Sequence, residues 1–167
     1  MNTDAIKLSF KEKAGYAGGD FASNLFWMTF IFYGTIFYTD TFGLSAVAVA
    51  AMFGIIRSFD SVAVFVVGVI SDRTETKWGK FRPFILWLAV PYGIVGALCF
   101  FTPDLASDGK LIYAYVTYLA FGLLYAGINI PYSSLLGVIS PDPIERASAS
   151  QFRFVGAFSA GAVIAFF

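Results

Sequence analysis

Only 13% of the 167 residues are charged, while 58% are hydrophobic and 19% are aromatic. Soluble domains carry about 25% charged residues, so this composition excludes an ordinary soluble protein and predicts an all-α integral membrane protein. The formal net charge of +0 gives no reason to expect a nucleic-acid partner, and with no histidine and a single cysteine we expect neither a metal site nor a cofactor.

The first long apolar run covers about 15–38 and follows Lys7, Lys11 and Lys13. A hydrocarbon core of about 30 Å takes roughly 20 helical residues, so this run can cross the bilayer. Basic residues favour the cytoplasmic side, which places the N-terminus inside. Residues 1–7 lack the order of regions that defines a signal peptide, so we expect insertion to begin from this helix.

Four further apolar runs follow, separated by short polar connections. They cover about 46–70, 84–101, 111–139 and 147–167. The connection before 84 is rich in Lys and Arg and should be cytoplasmic, whereas the connections before 46 and 111 should be external. Pro131 should bend the fourth helix. We interpret 1–167 as one membrane domain and, because the last run has no polar flank, as an incomplete part of a longer protein.

Ionisable groups inside spanning runs are the best pointers to function, since each costs at least about 2.5–3.5 kcal/mol at mid-bilayer. In the first run, Asp20, Asn24 and Trp27 are spaced to share one helix face. They form a polar face toward a cavity, or Asp20 is only a helix-start acid near the membrane interface.

The second and fourth runs carry further polar pairs. Arg57 and Asp60 are three residues apart and can pair, either beside a cavity or merely to hold helices together. Tyr125 and Asn129 share a stripe of the fourth run, where the asparagine contacts a ligand or bonds to a neighbouring helix.

In the fifth run, Arg153 has two possible orientations. Its guanidinium either snorkels to the interface or reaches inward to hydroxyl or carboxylate groups. The small-residue spacings Gly15 to Gly19 and Gly156 to Ala160 predict close helix packing. Polar stripes interleaved with aromatic residues suit a carbohydrate ligand, so the residues indicate a polar-solute transporter and leave the solute open. No catalytic constellation indicates an enzyme.

Several motifs resemble those of the glycoside-pentoside-hexuronide:cation symporters, a branch of the major facilitator superfamily. They are Tyr16-Ala-Gly-Gly-Asp20 with Asn24, Phe37-Tyr-Thr-Asp40, Arg57-Ser-Phe-Asp60, Trp78-Gly-Lys-Phe-Arg-Pro83, Asn129-Ile-Pro-Tyr132 and Arg153-Phe154. The resemblance covers essentially the whole chain. It implies a multi-pass protein of the plasma (inner) membrane with two bundles of six helices, of which this chain forms most of the first and lacks the C-terminal bundle.

The resemblance also implies roles for individual residues. Asp20, Asn129 and Arg153 match sugar-binding positions, and we include Asn24 and Tyr125 as further substrate-binding candidates. Asp60 matches the first of two carboxylates that bind the coupling cation, and we include Arg57 beside it.

The second of these carboxylates is replaced by Val64, and a helix-four hydroxyl that can assist sodium is replaced by Ala126. Sodium prefers several oxygen ligands, whereas a shielded Asp60 can still take up and release a proton. We therefore expect H⁺ rather than Na⁺ as the coupling cation, or loss of coupling.

The cytoplasmic connection is expected to act as a gate, with Asp72 at a buried edge pairing with other helices in one of two states. The gate residues are Gly68, Asp72, Arg73, Gly79, Lys80 and Arg82. The alternative is an ordinary positive-inside loop.

The function expected from these features is secondary active transport of a sugar or glycoside, coupled to a cation, by alternating access. Two alternatives stay open: a truncated chain without transport activity, and an uncoupled or proton-coupled carrier of a non-sugar polar solute.

Overall fold

The computed structural model describes residues 7–167, and all regular structure in that part of the chain is helical. The elements are α1 (Phe10–Ile36), a π-helical turn (Phe37–Thr41), α2 (Ala46–Arg73), α3 (Arg82–Cys99), α4 (Ser107–Ile139) and α5 (Pro143–Ala165). The all-α prediction is confirmed. The expectation about a signal peptide falls mainly on residues 1–6, outside the described residues.

Polar caps explain why α1 and α5 begin before their apolar runs. The Ser9 hydroxyl accepts from the Glu12 N–H at 3.3 Å, while the Glu12 carboxylate accepts from the Ser9 N–H at 2.8 Å, which is a reciprocal capping box. These bonds from the Ser9 N–H and hydroxyl keep the pKa of Glu12 below its ordinary value. Asp142 accepts from the Ile144 N–H at 2.9 Å, and Pro143 occupies the first turn of α5.

The predicted external connection after α1 is partly helical. The Phe42 N–H donates to the Phe37 carbonyl at 2.8 Å, five residues back, which widens the last turn of the helix. Gly43 then has φ 80°, a conformation that favours glycine, and the chain leaves the helix there.

Three helices of the described chain, α2, α3 and α4, are long and apolar enough to cross a membrane. The helices α1 and α5 are more polar, since they carry Asp20, Asn24 and Arg153. The least apolar helices are therefore the ones that hold the predicted substrate-binding charges.

The chain divides into two compact units. The first contains the chain up to Phe32 together with Ser133–Phe167, which brings α1 and α5 into contact. A Cβ on Gly156 would lie 2.5 Å from the Ala17 carbonyl oxygen, so the two backbones touch. Close packing at Gly156 is thus confirmed, whereas it is wrong at Gly15, where an added Cβ would meet no atom of another described element within 4 Å.

The second unit, Tyr33–Tyr132, contains α2, α3 and most of α4. Its core is aromatic: Phe121 stacks on Tyr92 with ring centroids 5.0 Å apart, and Phe53 lies 5.1 Å from Tyr118. The Lys110 ammonium donates to the Phe42 carbonyl at 3.3 Å and ties the start of α4 to the turn after α1.

Candidate functional site

Asp20 lies about three turns into α1 and its side chain is only 5% exposed. A helix-start acid would lie in the first turn, where Glu12 is found. The structure therefore excludes that interpretation of Asp20 and leaves a buried carboxylate that needs partners.

The main partner of Asp20 is Arg153 of α5. The Arg153 Nε donates to Asp20 Oδ2 at 3.1 Å, and the arginine side chain is 19% exposed. A snorkelling arginine would place its guanidinium in the interface, so the structure favours the inward orientation. The close contact of Gly156 with Ala17 allows this short bridge, because it removes a side chain from between the helices.

Further polar groups surround the pair on α1. Asn24 Nδ2 donates to the Asp20 main-chain carbonyl at 2.8 Å, and the Ser23 hydroxyl donates to the same oxygen at 3.3 Å. Tyr16 is buried one turn before Asp20, with its hydroxyl beside the Arg153 guanidinium. Asp20, Asn24 and Arg153 are thus brought together as predicted. The sequence analysis did not predict that Ser23 and Tyr16 also contact this pair.

The second carboxylate oxygen of Asp20, Oδ1, is buried and accepts no hydrogen bond from the described residues. Buried polar atoms are normally hydrogen-bonded, so this oxygen has an acceptor position open for a further donor. Within the first unit, the site therefore offers an anionic acceptor beside a cationic fork of donors.

The second unit holds the other predicted charged pair. Arg57 Nη1 lies 3.8 Å from Asp60 Oδ2, near the limit of an ion pair, and the Arg57 side chain is 57% exposed. The two residues share a face as predicted, but at this distance the ion pair is loose, and the described residues leave most of the arginine side chain uncovered.

Gly122 of α4 provides the room for Asp60. A Cβ on Gly122 would lie 2.6 Å from Asp60 Oδ1, which is buried and accepts no hydrogen bond from the described residues. Sequence reasoning missed Gly122, because only the packing of α2 on α4 reveals its contact. Four residues after Asp60, Val64 is 51% exposed and supplies no oxygen.

Tyr125 and Asn129 are half-buried on α4. The Tyr125 ring lies 6.1 Å from that of Tyr92 in α3, so part of its surface serves packing within the unit. Both residues lie on α4, and Pro131 follows them within the same uninterrupted helix.

The connection between α2 and α3 corrects one prediction: Asp72 is exposed in the last turn of α2 and does not lie at a buried edge. The last turn of α2 is covered on one side only: Ser71 is buried there, whereas Asp72 lies on an uncovered side. Lys80 instead lies 3.9 Å from Glu75, and its ammonium donates to the Asp72 main-chain carbonyl at 3.4 Å.

Gly79 has a structural role in this connection. Its φ of 93° lies in the left-handed region, and its carbonyl accepts from the Thr76 hydroxyl at 2.7 Å. The glycine of the Trp78–Pro83 motif is thus required by the turn that it forms.

Residues 15–167, most of the chain, match the family model described as MFS/sugar transport protein. The chain belongs to this family. Its motifs are those of the glycoside-pentoside-hexuronide:cation symporters, and the family is one of membrane transporters, not of enzymes.

Individual relatives agree with this membership. The chain is 46% identical to the Uncharacterized symporter YnaJ of Bacillus subtilis, over 100% of this chain and 36% of that protein. It is 47% identical to the Inner membrane symporter YicJ of Escherichia coli, over 92% of this chain and 34% of that protein. It is 38% identical to the Isoprimeverose transporter of Lactiplantibacillus pentosus, over 90% of this chain and 32% of that protein.

The chain thus spans about a third of the length of these curated relatives. Three helices of the described chain can cross a membrane, so this family member is a multi-pass membrane protein, and its relative YicJ is named as an inner membrane symporter.

Proposed function

We propose that the complete protein carries a sugar or glycoside across the inner membrane together with a cation, by alternating access. The observation that carries this proposal is the buried Asp20–Arg153 pair, in which Asp20 Oδ1 accepts no hydrogen bond from the described residues. In the proposed mechanism this oxygen accepts from a sugar hydroxyl, and the guanidinium donates to a neighbouring hydroxyl oxygen.

The geometry supports a polyhydroxylated ligand over a simple ion. A carboxylate and a guanidinium that already neutralise each other attract neither anions nor cations strongly, but together they offer an acceptor and donors at adjacent positions. Adjacent hydroxyls of a sugar present the complementary donor and acceptor. Membership in a family of sugar transporters supports the same solute class.

Asp20→Asn tests the sugar-binding role. The protein is expressed from its complete gene in cells that lack other glycoside carriers, and uptake of labelled glycosides is measured. Losing a charged acceptor should lower the initial uptake rate by about 10- to 100-fold, since hydrogen bonds to charged groups contribute about 1.5–3 kcal/mol each.

Asp104→Asn is the matched control, because Asp104 is exposed in the connection before α4, and its uptake should equal that of the parent. Uptake by Asp20→Asn at the parental rate, with equal amounts of protein in the membrane, would refute the role of Asp20. Expression of residues 1–167 alone in the same assay tests whether this chain transports without further sequence.

We further propose that Asp60 couples transport to a proton. Its buried Oδ1 sits against Gly122, and Val64 supplies no second carboxylate on the same face. The described residues contain no group of three or more acidic or cysteine ligands that could hold a metal ion. One carboxylate is a poor cage for sodium, but it is sufficient to bind and release a proton.

Asp60→Asn should abolish accumulation of the glycoside driven by a proton gradient, because an amide cannot exchange the coupling proton. Exchange of labelled for unlabelled glycoside across the membrane should persist, since it needs no net cation movement. The measurement compares gradient-driven uptake with exchange in membrane vesicles. Sodium-stimulated uptake by the parent that disappears in Asp60→Asn would show sodium coupling instead.

In this proposal the connection between α2 and α3 acts as the cytoplasmic gate. Asp72 and Arg73 are exposed in this structure, which leaves their charges accessible to other elements in a second conformation. The turn at Gly79 holds the shape of the connection through its bond to Thr76. The gate is a consequence of alternating access, in which one side of the site opens as the other closes.

A further inference from the structure

A second ion pair joins α1 to α5 at their N-terminal ends. Lys13 Nζ lies 2.8 Å from Glu145 Oε2 and donates to the Ser148 hydroxyl at 2.9 Å. The Leu8 N–H also donates to Glu145 Oε2, at 3.2 Å. The side chains of Lys13 and Glu145 are only 14% and 13% exposed, so this is a part-buried network with several hydrogen bonds.

The two ion pairs have opposite polarity along the helices. Helix α1 carries a cation at Lys13 and an anion at Asp20, while α5 carries an anion at Glu145 and a cation at Arg153. On each helix the two charges are about two turns apart. Both ion pairs can therefore form at the same time in only one alignment of the helices.

Sliding α5 along α1 by about two turns brings like charges together in either direction. In one direction Arg153 approaches Lys13, and in the other Glu145 approaches Asp20. Like charges in a medium of low dielectric repel strongly, so the charge pattern opposes both shifts. The contact of Gly156 with Ala17 lies between the same two helices. It involves no charged side chain, so it does not by itself select one alignment.

We propose that Lys13 and Glu145 are positioning residues, forming a clamp that sets the register of α5 along α1 and so holds Arg153 against Asp20. The clamp acts on the pair to which sugar binding is assigned above. Helix register is measured without any solute, so failure of the clamp and failure of the sugar-binding role are distinguishable.

Cross-linking measures the register directly. In the full chain with Cys99→Ser, Phe10→Cys and Phe152→Cys provide one thiol on each helix, at positions whose rings lie 5.6 Å apart. The rate of cross-linking by a short bis-methanethiosulfonate reagent then reports the native alignment. Circular dichroism checks that each variant keeps its helical content.

Four variants at the clamp are expected to cross-link at different rates. Lys13→Arg should leave the rate unchanged, and Lys13→Gln should lower it by about two- to five-fold. Lys13→Glu should lower it by about ten-fold or more, because the new carboxylate repels Glu145 and attracts Arg153. The exchanged variant Lys13→Glu/Glu145→Lys should return to within about three-fold of the parent.

A contact that only packs the two helices together would not give this order of cross-linking rates. The proposal is overturned if Lys13→Glu is no slower than Lys13→Gln, or if the exchanged variant is no faster than Lys13→Glu alone.

The pH dependence gives an independent measurement. The hydrogen bond from Lys13 holds the pKa of Glu145 below its ordinary value of 4.5, with smaller contributions from the Leu8 N–H and from the charges of Lys13 and Lys7. A lowered pKa stabilises the folded chain above pH 4.5, and the effect is lost as the pH falls through the pKa of the folded state. The melting temperature of the parent should exceed that of Glu145→Gln at pH 7, and the two should converge in acid. A difference that does not change with pH would contradict an ionic clamp.

Discussion

Arg153→Gln should destabilise the protein more than the double variant Arg153→Gln/Asp20→Asn. The single variant leaves the Asp20 carboxylate buried, at 5% exposure, without its cationic partner. Breaking a buried ion pair in this way costs about 3–5 kcal/mol, whereas removing both charges together is often close to neutral. The free energy of unfolding in detergent, measured by denaturant titration followed by circular dichroism, gives both values.

Arg57→Gln is the control for this experiment. Its side chain is 57% exposed and lies 3.8 Å from Asp60, so its loss should cost less than the loss of Arg153, whose contact is shorter and buried. If Arg153→Gln were no more destabilising than Arg57→Gln, the pair between α1 and α5 would not be the buried contact that the structure shows.

Gly156→Ala should separate α1 from α5. The added methyl group would lie 2.5 Å from the Ala17 carbonyl oxygen, and a backbone atom cannot move aside as a flexible side chain can. We expect a loss of about 1–3 kcal/mol of stability, in the range of overpacked cores, together with loss of the bond from Arg153 to Asp20. Thermal unfolding in detergent measures the loss.

Gly161→Ala is the matched control on the same helix. A Cβ at Gly161 would lie 3.8 Å from Met28 Cγ, an ordinary van der Waals contact. Alanine is the better helix former by up to about 1 kcal/mol, so this variant should be as stable as the parent or more stable. Equal melting temperatures for the two glycine variants would contradict the close contact at Gly156.

The two predictions concern the same helix pair, which is also the most polar. Burying Asp20 and Arg153 is unfavourable for each charge alone, and only close approach of the helices lets each neutralise the other. Gly156 makes that approach possible, and the Lys13–Glu145 pair lies on the same two helices. Packing and polar function therefore depend on each other here.

Much of this was predictable from the sequence alone. Apolar runs with few charges predict membrane helices, because each unpaired backbone group in lipid costs several kcal/mol and helices satisfy these groups internally. The spacing of Asp20 and Asn24 places them on one helix face because an α-helix has 3.6 residues per turn. The predicted second helix began at the right residue, but the first and fifth began too late, since side-chain caps at Ser9 and Asp142 start α1 and α5 before their apolar runs.

The tertiary structure decided what the sequence left open. Spacing along one helix cannot tell whether Arg153 turns toward the interface or toward Asp20, since that depends on the distance between two helices far apart in the chain. The contact of Asp60 Oδ1 with Gly122, the exposure of Asp72 and the pairing of Lys13 with Glu145 likewise depend on how the elements pack. Local periodicity determines which residues share a face, and only packing determines what that face meets.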